Sequence, residues 1–186
     1  MFKRTIGLYL NYLITKIKYH GKVKFNGFTI VYAFPDSKIE FNDGGQIINS
    51  QALSNLVGLY QRTIIVARYG GKISIGADTG ISGSTIYAMD SITIGKRVII
   101  GGNCKIIDND FHPLHGSKRL PQKPEDIKQN PIIIGDDCFI GANSIILKGT
   151  VLGKNCVVGA GSVVSGTWPD NSIIAGNPAK FLKENE

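Results

Sequence analysis

The chain has 186 residues, long enough for one domain with a packed core, is 42% hydrophobic and carries a formal net charge of +7. Its 21 lysines and arginines alternate with 14 acidic residues, with no long basic tract and no aromatic-studded RNA-binding motif, so a solvated surface is expected and nucleic acid is not a partner. No run of about 18 apolar residues occurs, which argues against a transmembrane helix, and the 23 glycines recur at fixed spacing instead of clustering as a linker.

The chain begins "MFKRTIGLYLNYLITKIKY", basic and apolar, without the long apolar core and small-residue cleavage site of a secretory signal. The expected location is the cytoplasm. Ile6, Leu10, Leu13, Ile14 and Ile17 fall at helical spacing and predict an amphipathic helix over 2–19. Packing on the end of the domain is its expected role. Contact with a membrane surface is the alternative, encouraged by Lys3, Arg4, Lys16 and Lys18. Residues 1–38 then form a helix and lead-in, followed by one domain over 39–183 and a tail over 184–186. Phe41, Ile47 and Leu53 hint at early, irregular turns of that domain.

From residue 134 apolar residues recur every six positions: Ile134, Ile140, Ile146, Leu152, Val158 and Val164. Glycine usually follows, at 135, 141, 153 and 159, with Leu147 and Ser165 as exceptions. Ile94, Ile100 and Ile106 keep the same period, and Ile75 and Ile81 are one residue out of phase with these three. A period of six is neither helical (3.6) nor that of an alternating strand (2). It predicts a parallel β-helix in which short strands form the flats and three hexapeptides make one coil. Residues 18 apart then stack at about 4.8 Å. Cys104, Cys138 and Cys156 each lie four residues after a repeat position. They are expected as buried thiols at tight corners, with neither a zinc site nor a nucleophile among them.

Ile106 and Ile134 are 28 apart, which breaks the rhythm. The intervening 108–131 is charged and proline-rich, and predicts a loop protruding from the coil. A β-helix interior is filled, so chemistry must occur on its surface, and such loops often carry it. His112 is the leading candidate for a general base, because imidazole accepts a proton near neutral pH. Pro113 restricts its backbone, and Asp108 or Asp110 is expected to hold one ring nitrogen. His115 is the lesser candidate.

Together the hexads, the loop with "DFHP" and the closing "GNPAK" resemble the hexapeptide-repeat acyltransferases, within them the maltose, galactoside and nodulation-type sugar and polysaccharide O-acetyltransferases. The match covers about residues 70–183. The tail "NPAKFLKENE" leaves the repeat and is expected to end in a short helix; the resemblance implies an all-β, left-handed parallel β-helix. It also implies a homotrimer that binds acetyl-CoA between subunits and transfers acetyl to a sugar or polysaccharide hydroxyl, with no metal. His112 matches the family's general base, and the backbone N–H of Ala142 its oxyanion donor. Phe139, Gly141, Ala142, Gly159, Ala160, Ser165, Lys180 and Lys183 match coenzyme-side positions. Ser84, with Gly83, stands where the galactoside type has a substrate-binding asparagine, and Asp108, Asp110 and His115 join it on the acceptor side. Two departures stand out: that asparagine is missing, and Ser165-Gly166 replaces a common Thr-Lys, leaving Trp168 to stack near the adenine or cap the coil.

Three other readings are open to the sequence. N-acetylation of an amino-sugar would use the same base. A non-catalytic β-helix scaffold would bind the coenzyme without turnover. A γ-type carbonic anhydrase needs three converging histidines, whereas His112 and His115 share one loop and His20 lies far away.

Overall fold

The structure, a computed structural model, describes residues 17–50 and 56–186. The chain winds in successive coils of three short strands. The first holds β1 (Ile17–Tyr19), β2 (Lys22–Asn26) and β3 (Ile30–Ala33), and the second β4 (Lys38–Phe41), β5 (Gly45–Asn49) and β6 (Ile64–Ala67). Next come β7 (Lys72–Ile75), β8 (Gly80–Ser82) and β9 (Thr85–Ala88), then β10 (Ser91–Ile94), β11 (Ile99–Ile100) and β12 (Lys105–Ile107). After the long loop follow β13 (Ile132–Ile134), β14 (Phe139–Ile140) and β15 (Ile145–Leu147), then β16 (Val151–Leu152), β17 (Val157–Val158) and β18 (Val163–Val164). The last coil has β19 (Thr167–Trp168) and β20 (Ser172–Gly176), and β21 (Ala179–Glu184) closes the chain.

Every coil before the last gives one strand to each of three faces. The first face runs β1-β4-β7-β10-β13-β16-β19, the second β2-β5-β8-β11-β14-β17-β20-β21, and the third β3-β6-β9-β12-β15-β18. All pairings are parallel except β20 with β21. This is the parallel β-helix that the hexads predict. Side chains alternate in and out, so one column of core residues rises behind each face. On the second face Ile81, Ile100, Ile140, Val158 and Ile174 stack in register, each at most 1% exposed. Burying one such side chain contributes about 1.5–3 kcal/mol. Ile140 and Val158 are 18 apart, as the repeat demands, whereas Ile81 and Ile100 are 19 apart, which explains the phase slip.

Three expectations need correction. Ile17–Tyr19, the end of the expected helix, is strand β1: Ile17 and Tyr19 pack inward and Lys18 faces out beside Glu40. Alternation overrides the helical spacing because Ile17 pairs with Ile39 on the neighbouring coil; the rest of that helix, with Lys3, Arg4 and Lys16, lies outside the described residues. In β5 the inward residue is Ile48, while Ile47 is 46% exposed; Leu53 also lies outside the described residues. The expected helical tail is β21, which folds back antiparallel on β20. Helix-forming Ala, Lys, Leu and Glu there yield to the unpaired edge of the last coil.

Candidate active site

Two corners of the coil carry the residues singled out from sequence. Loop 108–131 leaves the corner between the third and first faces, so that Ile100 and Ile140 are register partners although 40 residues apart. Asp108 anchors it. This buried carboxylate accepts the N–H groups of Met89 (2.8 Å) and Asp90 (2.9 Å) from the coil below and Nδ2 of Asn109 (3.0 Å). Burial pushes its carboxyl above the usual range, against the pull of those three donors. Asp110 pairs with Lys148 from the coil above.

Between these anchors the chain makes a strained turn. Phe111 has φ +58°, rare for a bulky side chain, and the His112 N–H donates to the Asp110 carbonyl at 2.6 Å. The Phe111 ring lies 4.9 Å from that of Tyr87. Pro113 is buried and His112 is exposed. Neither aspartate reaches the imidazole through a hydrogen bond; His112 Nδ1 is 2.6 Å from Gln122 Oε1. Gln122 Nε2 donates to the Phe111 carbonyl at 2.8 Å, which orients the amide with its oxygen toward the ring. An amide oxygen only accepts, so the neutral imidazole must carry its proton on Nδ1 and leave the Nε2 lone pair bare. Sequence reasoning missed Gln122 and Lys148, because neither sits in a motif or in the hexad phase. His115 is exposed and makes no side-chain cap to the short helix Gly116–Lys118 that follows it.

The corner between the second and third faces is lined by small residues. Gly101 and Gly102, Gly141 and Ala142, Gly159 and Ala160, and Ala175 and Gly176 succeed one another along it. A Cβ on Gly141 would come within 2.5 Å of the Ala160 nitrogen, so only glycine permits this stacking. Asn143 N–H bonds the Gly102 carbonyl and Gly161 N–H the Ala142 carbonyl, both at 2.8 Å. The N–H of Ala142, a half-buried residue, donates to no backbone acceptor among the described residues. Phe139, 45% exposed, stands beside this corner in an outward ladder with Ile99 and Val157. Lys180 and Lys183 are exposed on β21, at the C-terminal end of the second face.

Two predicted positions have other tasks. Ser84 is fully buried, its hydroxyl against the carbonyls of Ser82 and Gly101 and accepting from Cys104 N–H. Ser165 lies at the loop corner, and its carbonyl accepts Trp168 Nε1 at 3.0 Å, so Trp168 caps the core at the end of the coil. The cysteines are buried, with thiols on the carbonyls of Gly141, Gly153 and Pro169. Burial pushes the Cys138 thiol up to about 12 and raises that of Cys104, which removes them as nucleophiles. Among the described residues no group of three or more His, Cys, Asp or Glu side chains gathers to hold a metal, and no helix is long and apolar enough to cross a membrane.

This coil geometry is shared with known proteins. The family described as hexapeptide repeat of succinyl-transferase matches residues 131–165. A probable acetyltransferase of Mycobacterium tuberculosis is 37% identical over 119 residues, covering 64% of this chain and 37% of the relative. A putative lipopolysaccharide biosynthesis O-acetyltransferase of Escherichia coli is 34% identical, covering 53% of each chain. The chain thus spans between about a third and a half of these relatives' lengths. The crystal structure of a hexapeptide-repeat acetyltransferase from Vibrio cholerae, complexed with acetyl-CoA, superposes with a TM-score of 0.59 at 31% identity, covering 66% of this chain and 65% of that one. Residues 131–165 carry the hexapeptide repeat of that family, and over a longer stretch the chain resembles hexapeptide-repeat acetyltransferases.

Proposed function

We propose that the protein is an acetyl-CoA-dependent O-acetyltransferase acting on a sugar or polysaccharide hydroxyl. The observation that carries this reading is the contact of His112 Nδ1 with Gln122 Oε1 beside a strained turn; with the amide oriented by the Phe111 carbonyl, this contact calls for the proton on Nδ1 and leaves Nε2 as the free base. Nε2 takes the proton of the acceptor hydroxyl as its oxygen attacks the thioester carbonyl. The developing oxyanion is met by the Ala142 N–H, a donor already fixed in place. As the C–S bond breaks, the proton on His112 passes to the leaving thiolate, which balances the step.

His112 and Ala142 occupy different corners of the coil, and this favours a homotrimer in which one subunit's loop faces its neighbour's small-residue corner. The left-handed coil of the resemblance belongs to the same reading. The pantetheine arm would lie along Gly141, Gly159 and Ala160 beside Phe139, with Lys180 and Lys183 toward the phosphates. A groove of about 460 Å³ on the loop corner, where Arg68 lies 4.9 Å from the Phe34 ring and 4.4 Å from that of Tyr69, offers an acceptor a stacking surface. A cytoplasmic location fits a coenzyme A thioester as co-substrate.

Free-thiol release from acetyl-CoA across a panel of hydroxyl and amino sugars tests the reading. Acceptor-dependent release on a hydroxyl sugar supports it, and transfer only to amines replaces it with N-acetylation. Binding of acetyl-CoA without turnover on any acceptor favours a scaffold.

A further inference from the structure

A second excursion, of which residues 56–63 are described, lies between β5 and β6 at the corner that carries Ala142. Its described part folds over the same corner on the next two coils, at Gly83 and Gly102. Leu59 Cδ2 lies 2.9 Å from the place a Cβ would occupy on Gly83. Leu59 Cδ2 and Val57 Cγ1 each lie 2.8 Å from the corresponding place on Gly102. Two glycines therefore give their side-chain space to one apolar plug. The plug is tied down by Asn103, 4% exposed and at φ +62°: its Oδ1 accepts the Tyr60 N–H (3.2 Å) and its Nδ2 donates to the Gly58 carbonyl (3.0 Å).

The position of this plug along the corner gives it a role. From the C-terminal end the small-residue corner runs past Ala160, then Ala142, then Gly102, neighbouring coils being about 4.8 Å apart. A coenzyme whose nucleotide lies toward β21 and whose thioester meets the Ala142 N–H points its acyl group onward, toward Gly102. One coil further on, it meets Val57 and Leu59. We propose that these two side chains form the end wall of the acyl pocket and limit the transferred group to acetyl or a chain of similar length. This inference rests on the acyl-transfer reading and adds what confines its donor to short acyl chains.

Calorimetric titration of the full chain with coenzyme A, acetyl-CoA, butyryl-CoA and hexanoyl-CoA tests it without needing the acceptor. Wild type is expected to bind butyryl-CoA at least about tenfold more weakly than acetyl-CoA. Leu59→Ala opens the wall and should raise the butyryl-to-acetyl affinity ratio by about fourfold for each methylene newly buried. Asn103→Ala, which unties the plug, should move the same ratio in the same direction. Leu56→Ala serves as control, since Leu56 is 85% exposed and should leave the ratio alone. Equal affinity for acetyl and butyryl thioesters in wild type, or an unchanged ratio in both Leu59→Ala and Asn103→Ala, overturns the inference while the acyl-transfer reading survives. Failure of coenzyme A itself to bind the folded protein takes down both.

Discussion

Residues 132–147 and loop 108–131 adjoin in sequence and are held together by opposite means. In the coil, Ile132, Ile134, Ile140 and Ile146 are at most 1% exposed, and parallel ladders fix the backbone to coils on both sides. In the loop only Ile127 is a buried aliphatic, and the chain is placed by polar contacts at its base: Asp108 on the coil below and Lys148 from the coil above. An apolar stack is indifferent to the exact orientation of any one group, whereas a carboxylate on two N–H groups fixes direction. The rigid part therefore supplies a platform, and the polar part aims a side chain over it.

The largest expected effect falls on the loop. His112→Ala is predicted to lower acetyl transfer by about 10²–10⁴-fold, the usual contribution of a general base, with an unchanged urea midpoint. Loss of transfer from His115→Ala instead would move the base three residues along the same loop. Next comes the coil. Ile140→Ala leaves a hole in a column that cannot collapse, since the ladders hold the coils at their spacing. A loss of about 2–5 kcal/mol is expected in equilibrium unfolding. A loss below about 1 kcal/mol would mean that the coils re-space and that the platform is softer than its packing implies.

The two regions also differed in how much of them could be read in advance. Hexads from Ile134 to Val164 were legible because inward apolar residues alternate with smaller ones at a fixed period. The early coils were not, because their spacing is irregular: the register partners Ile39 and Ile73 are 34 residues apart, against 18 for Ile134 and Leu152, and the excursion that holds residues 56–63 lengthens the second coil. Nothing in the composition of that excursion marks it, since the pairing of Asn103 with Gly58 and Tyr60 spans more than forty residues. In the loop, His112 stood out by its chemistry beside Pro113. The partner of its ring did not, because two aspartates nearby offered the more obvious choice and both turned out to be anchors.

A test of the anchoring follows. Asp108→Ala leaves the buried N–H groups of Met89 and Asp90 without their acceptor, at a cost of about 1–3 kcal/mol. The loop is expected to become sensitive to protease between the coils while those after Ile132 stay protected. Uniform loss of protection along the whole chain would show that the loop and the platform unfold as one unit, against the contrast drawn above.

The smallest predicted effect discriminates most finely. Gln122→Leu keeps the volume of the side chain and removes the acceptor for the Nδ1 proton. One net hydrogen bond contributes about 0.5–1.5 kcal/mol, so transfer should fall by up to about tenfold, through kcat more than KM, with no change in the urea midpoint because His112 is exposed. Gln122→Glu gives the sharper result. A carboxylate there still accepts from Nδ1, so the tautomer is kept, but its charge favours the imidazolium. The base is then occupied to higher pH, and the acidic limb of the pH–rate profile should move upward relative to wild type. A merely structural Gln122 would leave that limb in place in both variants, and the orientation of His112 would then have to come from the strained turn at Phe111 alone.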